Sequence, residues 1–567
     1  MRKKTGFLII SMLEATKEKI INNSIALIAV QILLWSLSSD ICAQIERNNL
    51  SVTDNVRRLD SLVSIASGKI AFDYSVPTFT EFKIALNSAK LNPDSQNLAK
   101  LSLALRNLRS KESPFCIVMN ITDNPASRMA FTWFTNYGIP DGKVQVVSGV
   151  VTDPSQFSKQ SILAEVQSDT SNQLSVNYCV SSNNFKDIEG LHDNVKMNFT
   201  VNKAIVKDLQ PGKSYSFRVG SPQNWSDIGT FKTMSEKEND FSFVYTTDPQ
   251  ANTEEMFDIS QRSTHAAFKM FPQTSFWICC GDHVQTSGTN NSEWEWEKFF
   301  VTQQDLLLRY PYAPVIGNHD KSTNHNFTYH FNTSSAGFDK KMSDSPGSVY
   351  SFTWGNALFI ALSFEDYNKP GYLETLAKWM KEQVALNPDK KWRIAFYHKT
   401  IYTGSEHHHE DNDSKIVRQR IAPLFDSLNI DVALQGHDHI YEVIGPVRNF
   451  SLIPGSIKDQ TYVRPDDREN VTGHLFGIYN VKNGTLYFLN NSVGKKKYNP
   501  LTKLGMDSLE IKTGIKDYYS LFTGRFGQTG YPTFSNCRVT PDTIFISTWQ
   551  VFDDGSSSLL DKIKITK

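Results

Sequence analysis

Phe276-Trp277-Ile278-Cys279-Cys280-Gly281-Asp282-His283 runs from a continuous apolar segment straight into a polar cluster. An unbroken apolar run of this length reads as a strand buried on both faces, and the cluster behind it then lies at the strand's C-terminal end. The pattern recurs. Phe243-Val244-Tyr245 precedes Thr247-Asp248-Pro249-Gln250, and Pro314-Val315-Ile316 precedes Gly317-Asn318-His319-Asp320. Ile394-Ala395-Phe396-Tyr397 precedes His398, and Val432-Ala433-Leu434 leads to Gly436-His437-Asp438-His439. Together they predict an α/β sheet whose C-terminal edge collects five polar clusters into one site. A single Gly-Asp or Asn-His pair is ordinarily a turn, so the weight rests on the set and its order.

The residue types specify a chemistry. Two cations about 3.5 Å apart need a bridging anion, and a strand-end carboxylate such as Asp282 supplies one. Asp248 and His439 complete the ligands of one ion; Asn318, His398 and His437 complete those of the other. A neutral amide oxygen and imidazoles add no negative charge, so the site keeps enough positive charge to attract a phosphate. His319 stands beside a ligand but outside the set, where it is placed to protonate a leaving oxygen.

With these motifs, and with residues 350–360, residues 375–380 and Tyr441-Glu442 between and behind them, the chain resembles the calcineurin-like metallophosphoesterases over residues 112–567. More narrowly it resembles the purple acid phosphatases. The resemblance implies a four-layer α/β/β/α sandwich, two metal ions per chain drawn from Fe, Zn, Mn or Mg, and phosphomonoester hydrolysis by a metal-bridging hydroxide. It also implies a substrate-phosphate histidine ten residues after His398, which is His408, with His407 beside it as an alternative. Two positions depart from the family. Gln250 stands where the usual first motif has His, and Gln285 stands where purple acid phosphatases have Tyr. An amide is a poorer ligand than imidazole for transition metals, so the first ion is expected to be weaker or to be a harder ion, held in part by the Gln250 carbonyl. Without the tyrosinate no charge-transfer colour is expected.

Composition bounds the rest. The 567 residues are 40% hydrophobic and carry no net formal charge, so no basic field for nucleic acid is expected; the partner that the resemblance implies is a small phosphate ester. Residues 24–37 form a short apolar segment ahead of Ile41-Cys42-Ala43, read as a signal peptide spanning 1–43 and implying a secreted or periplasmic protein with no later membrane span. Of the cysteines beyond it, Cys279 and Cys280 read as packing residues, and a bridge between Cys116 and Cys179 is one pairing the sequence permits.

Residues 44–111 carry helical periodicity in Leu59, Leu62 and Val63 and in Leu98, Leu101, Leu105 and Leu108, with breaks expected at Pro77 and Pro93. Residues 112–236 turn to strand patterns, with Trp133 and a Leu-x-Pro-Gly-x-x-Tyr turn at 209–215, and resemble a fibronectin type III β-sandwich. The catalytic domain then occupies 237–567, its second sheet completed by residues 484–489 and 543–549. Asn120 and Asn198 sit in glycosylation sequons. The expected function is a secreted metal-dependent phosphomonoesterase. Phosphodiesterase or nucleotidase activity on the same centre is the alternative, and a surface-binding protein with a vestigial enzyme domain is a third reading.

Overall fold

The structure, a computed structural model, describes residues 55–567 apart from 56, 66–68, 70–73, 140–141, 160, 179–194, 286–291, 322–324, 334–336, 410, 459–460 and 464–470. The expected signal peptide and Cys179 lie outside the described residues. Two compact units divide the chain. The described part of one centres on Glu81–Leu108, and the other comprises Ala71–Thr80 and Arg109–Lys567.

In the helical part, α1 (Val76–Leu91) has Pro77 in its first turn, where a missing N–H costs nothing; the expected break is the helix start. The loop at Pro93 does interrupt the helix. Asp94 then caps α2 (Ser95–Arg106) by accepting from Asn97 N at 2.7 Å. Phe82, Ala89, Leu98 and Leu101 are buried, whereas Leu108 lies beyond the helix end.

The larger unit begins as a β-sandwich. Strands β1 (Phe115–Asn120) and β2 (Met129–Asn136) pair antiparallel in one sheet, and β3 (Lys143–Ser148) and β4 (Ser214–Ser221) pair antiparallel in the other. Phe131, Trp133, Val144, Val146, Phe217 and Val219 fill the space between them. Tyr215 Oη accepts from Gln210 N at 2.8 Å and closes the turn that the sequence pattern marked.

Three parallel strands follow, β5 (Phe241–Thr246), β6 (Phe276–Cys279) and β7 (Tyr312–Pro314), registered through Val244↔Trp277↔Tyr312. β1 joins the β7 edge through Asn120↔Tyr312, so one sheet runs through both the sandwich and the part that carries the five motifs. A second sheet holds β8 (Ala357–Ala361), β9 (Trp392–Phe396), β10 (Val432–Leu434) and β11 (Thr485–Asn490) in parallel order. The five motifs are therefore split between two sheets rather than lined along one. β12 (Thr543–Val551) corrects another expectation, because its hairpin ladder attaches to β5 through Phe243↔Cys537 and extends the first sheet.

Apolar side chains of both sheets interleave, with Phe243 stacked on Phe276 at 5.2 Å and edge-on to Phe359 at 5.4 Å. Helix α3 (Glu254–Met270) covers the outer face of the first sheet by packing Phe268 against Trp277. Leu376, Trp379, Val417 and Phe425 cover the outer face of the second from two further helices. The order is helix, sheet, sheet, helix, which brings the C-terminal ends of β5, β6, β7, β9 and β10 to one place. Cys116, Cys279, Cys280 and Cys537 are buried thiols, so the adjacent pair serves packing. Asn120 is fully buried and donates to Tyr312 O at 3.0 Å, so its sequon is a structural position. Among the described residues no helix is long and apolar enough to cross a membrane.

Candidate metal centre

Each motif turns sharply off its strand. Asp248, Gln250, Asp282, His437 and His439 all hold positive φ, between 30° and 79°, a conformation that costs non-glycine residues roughly 1–3 kcal/mol each and that clusters at functional sites. Glycines make the turns fit. A Cβ on Gly317 would strike the Asp282 carboxylate, and one on Gly436 would strike Thr247 Oγ1 and the Cys280 carbonyl.

The turns bring all six expected ligands together. Asp248, Asp282 and His439 present ligand atoms within 4.8 Å of one another, and so do Asp282, His398 and His437. His398 donates from Nδ1 to the Cys280 carbonyl at 2.8 Å, which turns Nε2 inward. That nitrogen lies 3.2 Å from Asp282 Oδ2, 3.0 Å from Asn318 Oδ1 and 3.1 Å from His437 Nδ1. Electron-rich atoms facing one another repel unless something positive lies among them. A proton on His398 satisfies one such contact; a divalent ion satisfies all of them.

The electrostatics show how strongly the carboxylates draw positive charge, a proton or a metal ion, to this spot. Burial lowers the pKa of His398, but the Asp282 carboxylate more than offsets it and the result is about 10. Burial acts to raise the Asp282 pKa, yet His398 holds the carboxyl below its usual range. His437 is kept well below the usual imidazole value by burial and by the neighbouring His408 and His398, so it stays neutral as a ligand must.

On the other side His439 Nε2 lies 3.1 Å from Asp248 Oδ1, and neither of its ring nitrogens has a hydrogen-bond partner among the described residues. Both side-chain amide atoms of Gln250 are likewise buried without a partner among the described residues. Unsatisfied polar atoms in the interior call for an explanation, and a bound cation supplies one. The donor set therefore fits two ions.

The remaining expected residues border this cluster. His319 N donates to Asp282 Oδ1 at 2.8 Å, and its Nδ1 donates to the Gln285 carbonyl at 2.5 Å. The His408 ring lies over His437 with centroids 3.7 Å apart, anchored by Nδ1 to Asp411 at 2.8 Å, while His407 packs on Tyr498 at 4.3 Å. His408, His437 and Asp438 also form a ligand-like group within 4.8 Å.

Several supporting residues escaped the sequence reading. Thr247 Oγ1 donates to Asp248 Oδ2 at 2.6 Å, and Glu295 on α4 (Ser292–Leu307) accepts from Gln285 N at 2.9 Å. Asp320 and His283 form a buried pair, although both stood inside the quoted motifs. Tyr498 stacks on His439 at 4.5 Å from a loop that carried no motif signal.

The pattern of a calcineurin-like phosphoesterase matches residues 226–441, and that of a purple acid phosphatase N-terminal domain matches residues 114–233. Acid phosphatase type 7 of Danio rerio is 24% identical over 289 residues, 47% of this chain and 62% of that protein. The Mus musculus counterpart is 23% identical over 47% and 61%. The chain thus spans about three fifths of the length of these relatives. An Arabidopsis thaliana purple acid phosphatase named as inactive is 25% identical over 43% of each chain. Among solved structures, a purple acid phosphatase from yellow lupin (Lupinus luteus) seeds shares the fold with a TM-score of 0.55 at 12% identity, covering 80% of this chain and 74% of its own.

Proposed function

We propose that this chain, which carries a calcineurin-like phosphoesterase domain behind a purple acid phosphatase N-terminal domain, hydrolyses phosphomonoesters outside the cytoplasm. The observation that carries the reading is the convergence of Asp248, Asp282, Asn318, His398, His437 and His439 from two sheets on one buried cluster of electron-rich atoms. Asp248, His439 and Asp282, with Gln250, would hold one ion; Asp282, Asn318, His398 and His437 would hold the other. Bound metal ions would polarise the phosphoryl oxygens and lower the pKa of water at the site.

The protein's own groups do the rest. His319 is oriented from both ends, its N–H on Asp282 and its Nδ1 on the Gln285 carbonyl, which leaves Nε2 to deliver a proton to the leaving oxygen. His408, braced by Asp411 and lying on His437, would donate to a phosphoryl oxygen. Export is supported by the apolar segment at residues 24–37 and the small residue Ala43 behind it.

The test is metal content of the purified chain alongside a panel of phosphate monoesters and diesters. Two ions per chain and a preference for monoesters are expected. Preference for diesters would favour the phosphodiesterase alternative, and a chain that holds no metal and turns over no ester would overturn the reading.

A further inference from the structure

Residues 494–498 cross the first motif as a strap. Gly494 lies so close to the Asp248 and Pro249 carbonyls that a Cβ there would collide with both, and Ser492 Oγ donates to Asp248 O at 2.7 Å. The side chains that follow point in alternate directions. Lys495 reaches outward to Glu255 at 2.7 Å, and Lys497 reaches the Gly530 carbonyl and the Tyr531 ring. Tyr498 turns inward onto His439. Lys496, between the two outward lysines, is half-buried and lies in the field of Asp282, Asp248 and Glu295.

Other lysines withdrawn from solvent end on acceptors. Lys399 pairs with Asp413 at 2.5 Å and Glu365 at 3.5 Å, Lys298 with Glu254 at 2.9 Å, and Lys203 donates to the Thr328 and Phe331 carbonyls. Lys496 has no hydrogen bond or ion pair to any described residue. Burial pulls its pKa down and the three carboxylates only partly oppose this, so its desolvation is not repaid by contact. A partly buried ammonium on a strap that touches the first motif, in the field of carboxylates yet bonded to no described residue, is a cation arranged for an anion that arrives.

We propose that Lys496 is a substrate-binding residue whose ammonium donates a hydrogen bond to a non-bridging phosphoryl oxygen. The proposal rests on the hydrolase reading above and extends it to a residue outside the five motifs. It also bears on Gln250 and Gln285. Where the first ion is held by weaker ligands, a fixed cation on the same side keeps positive charge facing the phosphate.

The test measures binding of inorganic phosphate to the metal-loaded full chain by calorimetry, together with KM for a phosphomonoester and metal content. Lys496→Met should weaken phosphate and raise KM about tenfold or more with both ions retained, since a charge-assisted hydrogen bond is lost. Lys496→Arg should recover most of the loss, and Lys495→Met, on the outer face, should leave both quantities within about twofold of wild type. Unchanged phosphate affinity in Lys496→Met, an equal loss in Lys495→Met, or an additional metal ion bound by Lys496→Met would overturn the proposal. A wild type that binds phosphate through Lys496 but cleaves no ester would sink the hydrolase reading and leave the binding role standing.

Discussion

His283 donates from Nδ1 to Asp320 Oδ2 at 2.9 Å, with both side chains fully buried, and this pair ties the second metal motif to the third. Asp320 also accepts from His283 N at 2.7 Å, Val284 N at 3.3 Å and Gly317 N at 2.9 Å, so one carboxylate fixes both turns. Asp282 and Asn318 are carried on those turns. Burial alone lowers the His283 pKa, but Asp320 outweighs it and the value stands at about 10.

A pH dependence follows. An imidazole whose folded pKa lies above its unfolded value of about 6.5 contributes stability that is complete below that pH and is lost as pH rises through about 10. The slope is at most about 1.4 kcal/mol per pH unit for one such group. Denaturant unfolding followed by tryptophan fluorescence should show stability falling between neutral and alkaline pH. Asp320→Asn should cost about 3 kcal/mol at neutral pH and flatten that fall. An alkaline slope unchanged in the variant would remove the pair from the account.

Asp282→Asn should cost the protein at least one bound metal and essentially all turnover. Its carboxylate belongs to both ligand groups, while its Oδ1 accepts from His319 N at 2.8 Å. The amide keeps the shape but not the charge that a pair of cations needs. Elemental analysis beside activity decides it, since two ions per chain with a near-wild-type rate cannot be reconciled with a shared ligand.

His319→Ala should lower turnover by about 10²–10⁴-fold while both metals stay, because the residue is assigned to proton delivery. The loss should shrink for substrates with good leaving groups, which need little protonation. Rates across a series of aryl phosphates give the answer. An equal loss throughout would move His319 from proton donor to phosphate binder.

How much of this was written in the sequence depends on the scale of the interaction. The strand-then-cluster pattern located Asp248, Asp282, Asn318, His398, His437 and His439, because a buried parallel strand needs a local apolar run and its polar end is contiguous with it. The strand pattern alone did not show the division of those strands between two sheets, which only the family resemblance implied. Parallel pairing such as Val432↔Leu486 joins residues far apart in the chain, and periodicity carries no information about partners. Pro77 was read as a break because proline both ends and begins helices, and only its place in the first turn of α1 distinguishes them. Lys496 and Tyr498 were invisible for a different reason. Their place beside the site is set by Gly494 and Ser492 holding the strap against Asp248, and a Gly-Lys-Lys-Lys-Tyr run on its own reads as solvated loop.

The two glutamines offer the final test. Gln250 is buried with both amide atoms unpartnered among the described residues, while its backbone N–H is fixed on the Asp282 carbonyl at 2.8 Å. Gln250→His would place an imidazole where an amide now stands, and the first ion should then survive about tenfold more chelator, read by metal retention during a chelator titration. Gln285 is held through its main chain, N–H on Glu295 and carbonyl under His319, and Gln285→Tyr keeps both contacts. Iron-loaded, oxidised wild-type protein should lack a visible tyrosinate band, and the tyrosine variant should gain one. A wild type already coloured would overturn the reading of Gln285 as a missing ligand. It would turn attention to Tyr498, whose ring lies 4.5 Å from that of His439, and Tyr498→Phe would then bleach the protein.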